Sequence, residues 1–496
     1  MSTRSELHKV QDLNELHQHV YDSMTFSALR QQSQDNLEQS WPPYRRLIKT
    51  LSQLTHIPSY LLNNYVRTIV CLLLFGLMFP LNLLITLLTM ILSYFCNLIH
   101  KKSSLPSSNP SRKRILISGG STTKALHLCR SFYQAGHQII LVDESINWLT
   151  GHRWSNSVER FYVHPSPSKE SDAYLTILAN IVRREKINVF IPCCHSHIDE
   201  RLQVALATHN CSIFYPRSDQ TIFMSNKYAF IERTRSLNLS VPSSFLITSR
   251  EQLLQFNYDC SYICKPATID SLHHEKTIIL PRSTPSETIE YINKLSISEH
   301  RPYLLQKFLS GQEYSTHVTA IDGRIKLFVC SPKSTYQHVD QPRILQWCMQ
   351  YVETLNLTGH LSMKFIIDDH DEQVYAIECR SYVDSNIISF YNHPEVANAY
   401  FEHESSTMIV PLASARQIYW LPYELWQLVQ NIRSRKKIIA CLKKICFGKE
   451  AIWSWNDPFP FLLHYHIHFF YLLFANLFSK HIRFFNHVDC NMGRLF

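Results

Sequence analysis

Residues 361–394 read LSMKFIIDDHDEQVYAIECRSYVDSNIISFYNHP, and the fold of the chain turns on how this stretch is read. Residues 361–367 are a largely apolar run with a single charge, Lys364, residues 368–373 form a polar turn, and residues 374–379 are a second short apolar run carrying Glu378. Two such runs around an acidic turn predict a β-hairpin. Lys364 and Glu378 then sit near the ends of neighbouring strands and face a common ligand.

The composition bounds what that ligand is. At 496 residues the chain is long enough for two or three domains. Its 14 cysteines show no framework of paired spacings, which points to a reducing compartment. The net charge of +9 is modest for this length. Part of it (Lys101, Lys102, Arg112, Lys113, Arg114) collars an apolar segment, a placement that suits an anionic membrane surface and not nucleic acid. Ten glycines in the whole chain weigh against a glycine-rich phosphate loop.

Residues 1–64 are polar and read as a tail without visible chemistry. Residues 66–100 read as a transmembrane segment, because 68–99 holds no charged side chain. As a helix that stretch measures about 48 Å, against a hydrocarbon core of roughly 30 Å. Pro80 and Asn82 near its middle leave a kinked single span and a re-entrant hairpin both open. Residues 101–112, rich in Ser and Pro, are a linker. Residues 113–220 alternate strands (114–118, 138–142, 161–163, 188–191, 212–215) with helices (122–134, 174–184, 199–207), the pattern of an α/β domain with a parallel sheet. The Gly119-Gly120 turn could present backbone N–H groups to an anion. The dinucleotide fingerprint is missing, however, since residues 121–124 supply no further glycine.

Two clusters look like metal sites and read better otherwise. Cys193-Cys194-His195-Ser196-His197 follows a strand, but no second ligand pair stands at zinc spacing, so a substrate-facing loop is the better reading. His464, His466 and His468 alternate within an aromatic run that reads as a helix, where alternate residues do not share a face.

From residue 226 onward the order of features carries information. A basic helix at 226–237 begins with Lys227 near its start, a strand at 244–248 follows, and a strand at 262–265 ends on Lys265. The strand PYLLQKF (302–308) then leads into Leu309, Ser310, Gly311, Gln312 and Glu313, and the Lys364/Glu378 hairpin comes after. A lone lysine is usually solvated, and a strand before glycine is common, so each feature has a bland reading by itself. The succession resembles the ATP-grasp fold, and within it the mycosporine-glycine synthases. The resemblance runs from about residue 115 to 496. It includes GHRWSN (151–156), NKYAFIERTRSLNL (226–239), YAIEC (375–379), FYNHP (390–394), DPFPFL (457–462) and VDCNMGRLF (488–496).

That resemblance implies an α/β protein: a transmembrane segment, a parallel-sheet pre-ATP-grasp domain (113–220), an α+β ATP-grasp domain of two lobes (221–410) and a helical, aromatic end (411–496). It implies that Lys227 and Lys265 approach the phosphates of ATP, and that Gln306, Lys307 and Leu309 form an adenine hinge. Glu313 would accept from the ribose hydroxyls. Gly119, Gly120 and Lys124 would lie on the substrate side. The implied reaction is ATP-dependent C–N ligation, phosphorylation of a cyclohexenone enol followed by displacement by an amino acid, with Mg2+ neutralising charge.

At the metal the chain departs from the pattern. Lys364 stands where the family has aspartate, and Glu378-Cys379-Arg380-Ser381-Tyr382 where it has Glu-Cys-Asn-Pro-Arg. Glu378 is the retained ligand; Asp384 is a candidate substitute. The loop at 267–277 also lacks the glycines of a phosphate flap. Two functions follow: an active ligase on a small-molecule substrate, or a catalytically inactive scaffold or sensor that binds nucleotide without Mg2+. Either has the membrane and ATP as partners, no nucleic acid, and an ATP-grasp domain facing the cytosol. Beyond these domains, 427–444 reads as a basic helix. The charge-free aromatic run 458–479 reads as an interfacial membrane helix, with a cap packed on the ATP domain as its alternative.

Overall fold

The computed structural model describes residues 59–99, 112–194, 198, 200–267, 278–333, 335–401 and 407–478. The polar tail up to residue 58, most of the linker, His195 to His197, the flap loop from 268 and the VDCNMGRLF end lie outside them. The chain divides into two compact units. Among the described residues, one comprises 59–67 and Pro242–Phe308, the other those of Thr68–Val241 and of 309–478.

Helix α1, Ser59–Ile99, is continuous for 41 residues through Pro80, so no re-entrant hairpin forms. Among its described side chains (68–95) the buried ones are Thr68, Cys71, Phe75, Asn82, Thr86 and Thr89, while Leu73, Leu77, Leu84, Leu88 and Leu92 are exposed. The hydroxyls of Thr86 and Thr89 donate to the carbonyls of Asn82 and Ile85, so they need no outside partner. Polar and small residues inward with leucines outward is the inverse of a surface helix in water. Thr68–Phe95 is long and apolar enough to cross a membrane.

The α/β domain runs β1 (Arg114–Ser118), α2 (Thr123–Gln134), β2 (Gln138–Glu144), β3 (Arg160–His164), α3 (Ser171–Glu185), β4 (Val189–Pro192), α4 (Glu200–Ala207) and β5 (Ser212–Ile213). All pairings are parallel, in the order β3-β2-β1-β4-β5. The apolar run of β1 occupies the centre because both of its faces are covered. Helices α5 (Ser218–Ser225) and α6 (Lys227–Ser236) follow, and the Asn226 side chain caps α6 by accepting from the amides of Tyr228 and Ala229. That cap fixes Lys227 at the first helical position.

The smaller unit holds β6 (Ser244–Ile247), α7 (Arg250–Leu254), β7 (Tyr262–Pro266), β8 (Ile278–Leu280), α8 (Pro285–Asn293) and β9 (Tyr303–Lys307). Its antiparallel sheet has the order β6-β9-β7-β8, and its core is built on Ile247, Leu253, Tyr262, Cys264 and Ile292.

In the larger unit β10 (Gly311–Ile321), β11 (Arg324–Pro332), α9 (Pro342–Thr354), β12 (Gly359–Asp368) and β13 (Val374–Arg380) follow. The sheet is antiparallel with the order β11-β10-β12-β13. One face packs on α9 through Trp347 against Phe365 (5.1 Å) and Cys348 against Met363 (3.9 Å). Gly311 starts β10 where a Cβ would stand 1.9 Å from the carbonyl oxygen of Ile367, so no side chain fits there.

After β14 (Ile418–Tyr419) the expected single basic helix is two, α10 (Leu421–Gln430) and α11 (Arg435–Phe447), followed by β15 (Lys449–Glu450). The aromatic run becomes α12 (Phe459–Leu463), a π-helical turn at His464–His468 and α13 (Phe469–Phe478). It lies between two neighbours. On one side the GHRWSN turn meets it: Gly151 abuts the His464 backbone, and the rings of His152 and His464 stack at 4.4 Å. Asp457 accepts there from Arg130 Nε (2.9 Å), Ser155 Oγ (2.6 Å) and the Asn156 amide (2.9 Å). On the other side Phe75 of α1 packs on Phe469 (5.0 Å), and Asn82 Nδ2 bonds His466 Nε2 at 2.9 Å. GHRWSN and DPFPFL, which the sequence offers as separate motifs, are thus two halves of one joint.

The joint makes a prediction. Asp457→Ala leaves the largely buried Arg130 without its carboxylate. The expected loss is roughly 3–5 kcal/mol of stability, read by denaturant unfolding. A loss under about 1 kcal/mol, the scale of an exposed pair, would contradict the joint.

Candidate functional site

Side chains alternate along a strand, so one face of the larger sheet collects every second residue. On β10 these are Glu313, Ser315, His317 and Thr319, on β12 His360, Ser362 and Lys364, and on β13 Glu378 and Arg380. The register aligns Ser315 with Lys364 and Lys364 with Glu378, and in the next row His317 with Ser362 and Ser362 with Arg380. A bulge passes over Ile377 and brings Glu378 opposite Lys364. The hairpin read from the sequence therefore forms, with its two charges in direct contact.

That contact decides what the site can hold. Glu378 Oε2 accepts from Lys364 Nζ at 2.8 Å, and Oε1 accepts from Arg380 Nε. Arg380 Nη1 donates onward to the Tyr382 hydroxyl (3.3 Å). Burial opposes the charge on Arg380, but Glu378 and Tyr382 outweigh it and raise its pKa. Lys124, at the start of α2, stands over the Tyr382 ring (4.7 Å) and donates to the Val383 carbonyl (2.7 Å). Lys227 senses the same charges: burial lowers its pKa, Glu378 opposes this, and Arg380 and Lys364 add to it.

Asp384 is the second acid of the group. It accepts from Ser362 Oγ (2.7 Å) and from the Asn386 amide (2.9 Å), capping a 3-10 turn at Ser385–Phe390. Four cations (Lys124, Lys227, Lys364, Arg380) against two carboxylates (Glu378, Asp384) leave the cluster positive. A divalent cation needs carboxylate oxygens with open lone pairs. Both oxygens of Glu378 already face cations, so these residues do not fit a resident Mg2+. Among the described residues no group of three or more His, Cys, Asp or Glu could hold a metal ion.

The remaining expected residues are placed as follows. Glu313 pairs with Lys333, both half-buried, and Leu309 is buried. In the smaller unit Lys265 Nζ donates to Gln306 Oε1 at 2.8 Å, and Gln306 Nε2 donates to Ser244 Oγ at 3.3 Å. The Gln306 amide is thereby committed within the sheet. The Lys307 amide donates to the Ser243 carbonyl (2.8 Å), while its side chain is exposed. In the Gly119-Gly120 turn three successive amides are bonded inside the protein and are not offered to an anion. Gly120 N donates to Val142 O, Ser121 N to Asp143 Oδ2 and Thr122 N to Gly119 O. At φ +76° Gly119 suits glycine, and a Cβ there would meet Cys194 Sγ at 2.7 Å. Cys193 and Cys194 are free thiols beside this turn, and burial pushes the Cys193 pKa up.

A relay of polar groups behind the cluster escaped the sequence. The Asp384 amide donates to His317 Nδ1 (3.2 Å), so the His317 proton is on Nε2, which donates to Thr319 Oγ1 (3.0 Å). Thr319 Oγ1 lies 3.4 Å from His360 Nδ1. No local spacing announces this, because the partners are joined only by the register of β10 and β12 and by the turn after β13.

No protein-family model and no curated protein matches the chain. Among solved structures it is similar to an N5-carboxyaminoimidazole synthetase from Staphylococcus aureus, with 15% identity, 55% of this chain and 71% of that one covered, and a TM-score of 0.41. It is similar to an L-amino acid ligase from Bacillus licheniformis, with 13% identity, 56% and 69% coverage and a TM-score of 0.43. It is also similar to a biotin carboxylase from Campylobacter jejuni solved in complex with β-γ-ATP, with 12% identity, 56% and 67% coverage and a TM-score of 0.43. At these scores the similarities carry no functional weight.

Proposed function

We propose that this chain is a membrane-anchored ATP-grasp protein whose larger unit binds the phosphates of ATP with protein cations in place of Mg2+. The observation that carries the reading is the Lys364–Glu378–Arg380 contact, in which the one acid retained from the family's metal shelf is neutralised on both oxygens. Lys227 and Lys124 extend the positive charge, and planar Arg380 suits phosphate recognition. By resemblance, Leu309 would read the base and Glu313 the ribose, while Lys265 as a phosphate ligand and Gln306 and Lys307 at the base would have to exchange their bonds to one another, to Ser244 and to Ser243 for bonds to the nucleotide. The inverted polarity of α1 supports the anchor, and a nucleotide domain on its cytosolic side meets ATP. On this reading the protein is a nucleotide-binding scaffold or sensor.

The second reading, ligation of an amino acid to a phosphorylated cyclohexenone in the manner of the mycosporine-glycine synthases, is favoured by the joint that GHRWSN and DPFPFL form. ADP release by the full chain in the presence of ATP, Mg2+, glycine and the cyclohexenone separates the two. Magnesium-dependent turnover would remove the scaffold reading. Lys227→Ala is expected to weaken ATP binding roughly ten-fold by removing one charge-assisted contact. An unchanged affinity would exclude Lys227 from the phosphate site.

A further inference from the structure

Helix α11 has no buried residue. One side holds it to the protein: Lys444 Nζ forms an ion pair with the buried carboxylate of Glu424 at 2.6 Å, and the Tyr419 hydroxyl donates to the Ile445 carbonyl at 3.2 Å. The other side faces outward. At about 100° per residue, Arg435, Lys436, Ile439, Leu442 and Lys443 share a strip roughly 120° wide. All five are exposed, and Phe447 at the helix end is 73% exposed. Among the described residues Arg435, Lys436, Lys437 and Lys443 have no carboxylate partner.

Mixed basic and apolar groups on one face narrow the partner. Protein interfaces are depleted in lysine. Nucleic acid would take the cations and leave Ile439, Leu442 and Phe447 in water. An acidic lipid surface takes both, the cations at headgroup level and the apolar side chains below. The position of the helix in the chain agrees. Two residues after Phe447 comes β15, where Glu450 accepts from the Tyr465 hydroxyl at 2.6 Å, and the Tyr465 ring packs on Phe75 of α1 at 6.2 Å. The connection onward carries exposed Trp455 and Phe459, and tryptophan favours the membrane–water interface.

We infer that α11 lies on an anionic lipid surface, with Arg435, Lys436 and Lys443 against acidic headgroups and Ile439, Leu442 and Phe447 inserted among the acyl chains. The surface is assigned to the basic helix; the aromatic run after it buries Tyr465, His468 and Phe469 and exposes Ile467, Phe470 and Phe474. The inference rests on the reading of α1 as the span that brings the chain to a bilayer.

The test uses the full chain in nanodiscs carrying trace phosphatidylserine or phosphatidylcholine with a photoreactive group near the glycerol, and adducts are mapped by mass spectrometry. The phosphatidylserine probe is expected to label α11 at least about five-fold more than the phosphatidylcholine probe, the factor that one basic residue at an acidic surface supplies. Combined Arg435→Glu, Lys436→Glu and Lys443→Glu should remove that preference while labelling of Thr68–Phe95 persists, which also shows that the variant is folded and inserted. An α11 that is unlabelled, or labelled equally by both lipids, while Thr68–Phe95 is labelled, would overturn the inference. Loss of labelling at Thr68–Phe95 with α11 still labelled would overturn the span and leave the surface assignment standing.

Discussion

Acidification from pH 7 to about 5 is expected to unfold the larger unit, with a stability slope near 5 kcal/mol per pH unit. Burial lowers the pKa of His127, His152 and His360 to about 3 each, and burial with His360 and Lys124 nearby holds His317 well below its ordinary value. Hydrogen bonding gives the same answer. His317 Nδ1 already accepts from the Asp384 amide, so a proton there would set two N–H groups against each other. His152 Nδ1 donates to the Gly120 carbonyl, and its Nε2 is buried without a partner, so a proton there would be an unsatisfied charge. The unfolded chain takes these protons near pH 6.5, whereas in the folded chain His127, His152 and His360 do not take theirs until about pH 3 and His317 stays neutral well below its ordinary range. Between those limits the unfolded state binds more protons, and stability falls as the pH falls. Four groups at about 1.4 kcal/mol per pH unit each exceed a typical domain's stability within two units. An acid titration followed by near-UV circular dichroism measures this; a native signal that persists to pH 4 would contradict it.

The double substitution Lys364→Asp with Arg380→Asn is expected to create a Mg2+ dependence that the natural chain lacks. Removing a cation about 4 Å from a divalent ion removes a repulsion of about 8 kcal/mol at an effective dielectric near 20. Lys364 is 42% exposed, so screening leaves a fraction of that. Even a third is worth about two decades of affinity. In the variant Glu378 regains open lone pairs beside two new oxygen donors, and ATP should bind roughly a hundred-fold more tightly with Mg2+ than without it. Without metal the variant should also be less stable than the natural chain, because the carboxylates would face each other. Calorimetric titration of the variant with ATP in both conditions measures the first effect; identical affinities would mean that the shelf cannot be rebuilt by these two residues.

Much of the larger unit was legible because its strands are short apolar runs bounded by turns. The parallel strands 114–118 and 189–192 fall within a residue of expectation, and the 361–379 hairpin forms as read. The C-terminal region was harder. Residues 427–444 carry a continuous basic pattern, yet the turn at 431–434 divides α10 from α11 without a proline or glycine to mark it. The aromatic run is apolar on all sides, a composition shared by an interfacial helix and a helix packed on its neighbours; it packs through Tyr465 and Phe469 and leaves Ile467, Phe470 and Phe474 exposed. At the site, opposition of Lys364 and Glu378 followed from the hairpin. That Arg380 takes the second oxygen, that Lys124 reaches Val383 from 259 residues away and that Asp384 is tied to His317 depend on register and crossover connections, which leave no local pattern.

The most direct test of nucleotide binding without a metal is the affinity of the full chain for ATP in excess EDTA and in excess Mg2+, measured by calorimetry in nanodiscs. The Lys364–Glu378–Arg380 contact predicts binding in EDTA at least as tight as in Mg2+. Binding that appears only when Mg2+ is added would contradict it.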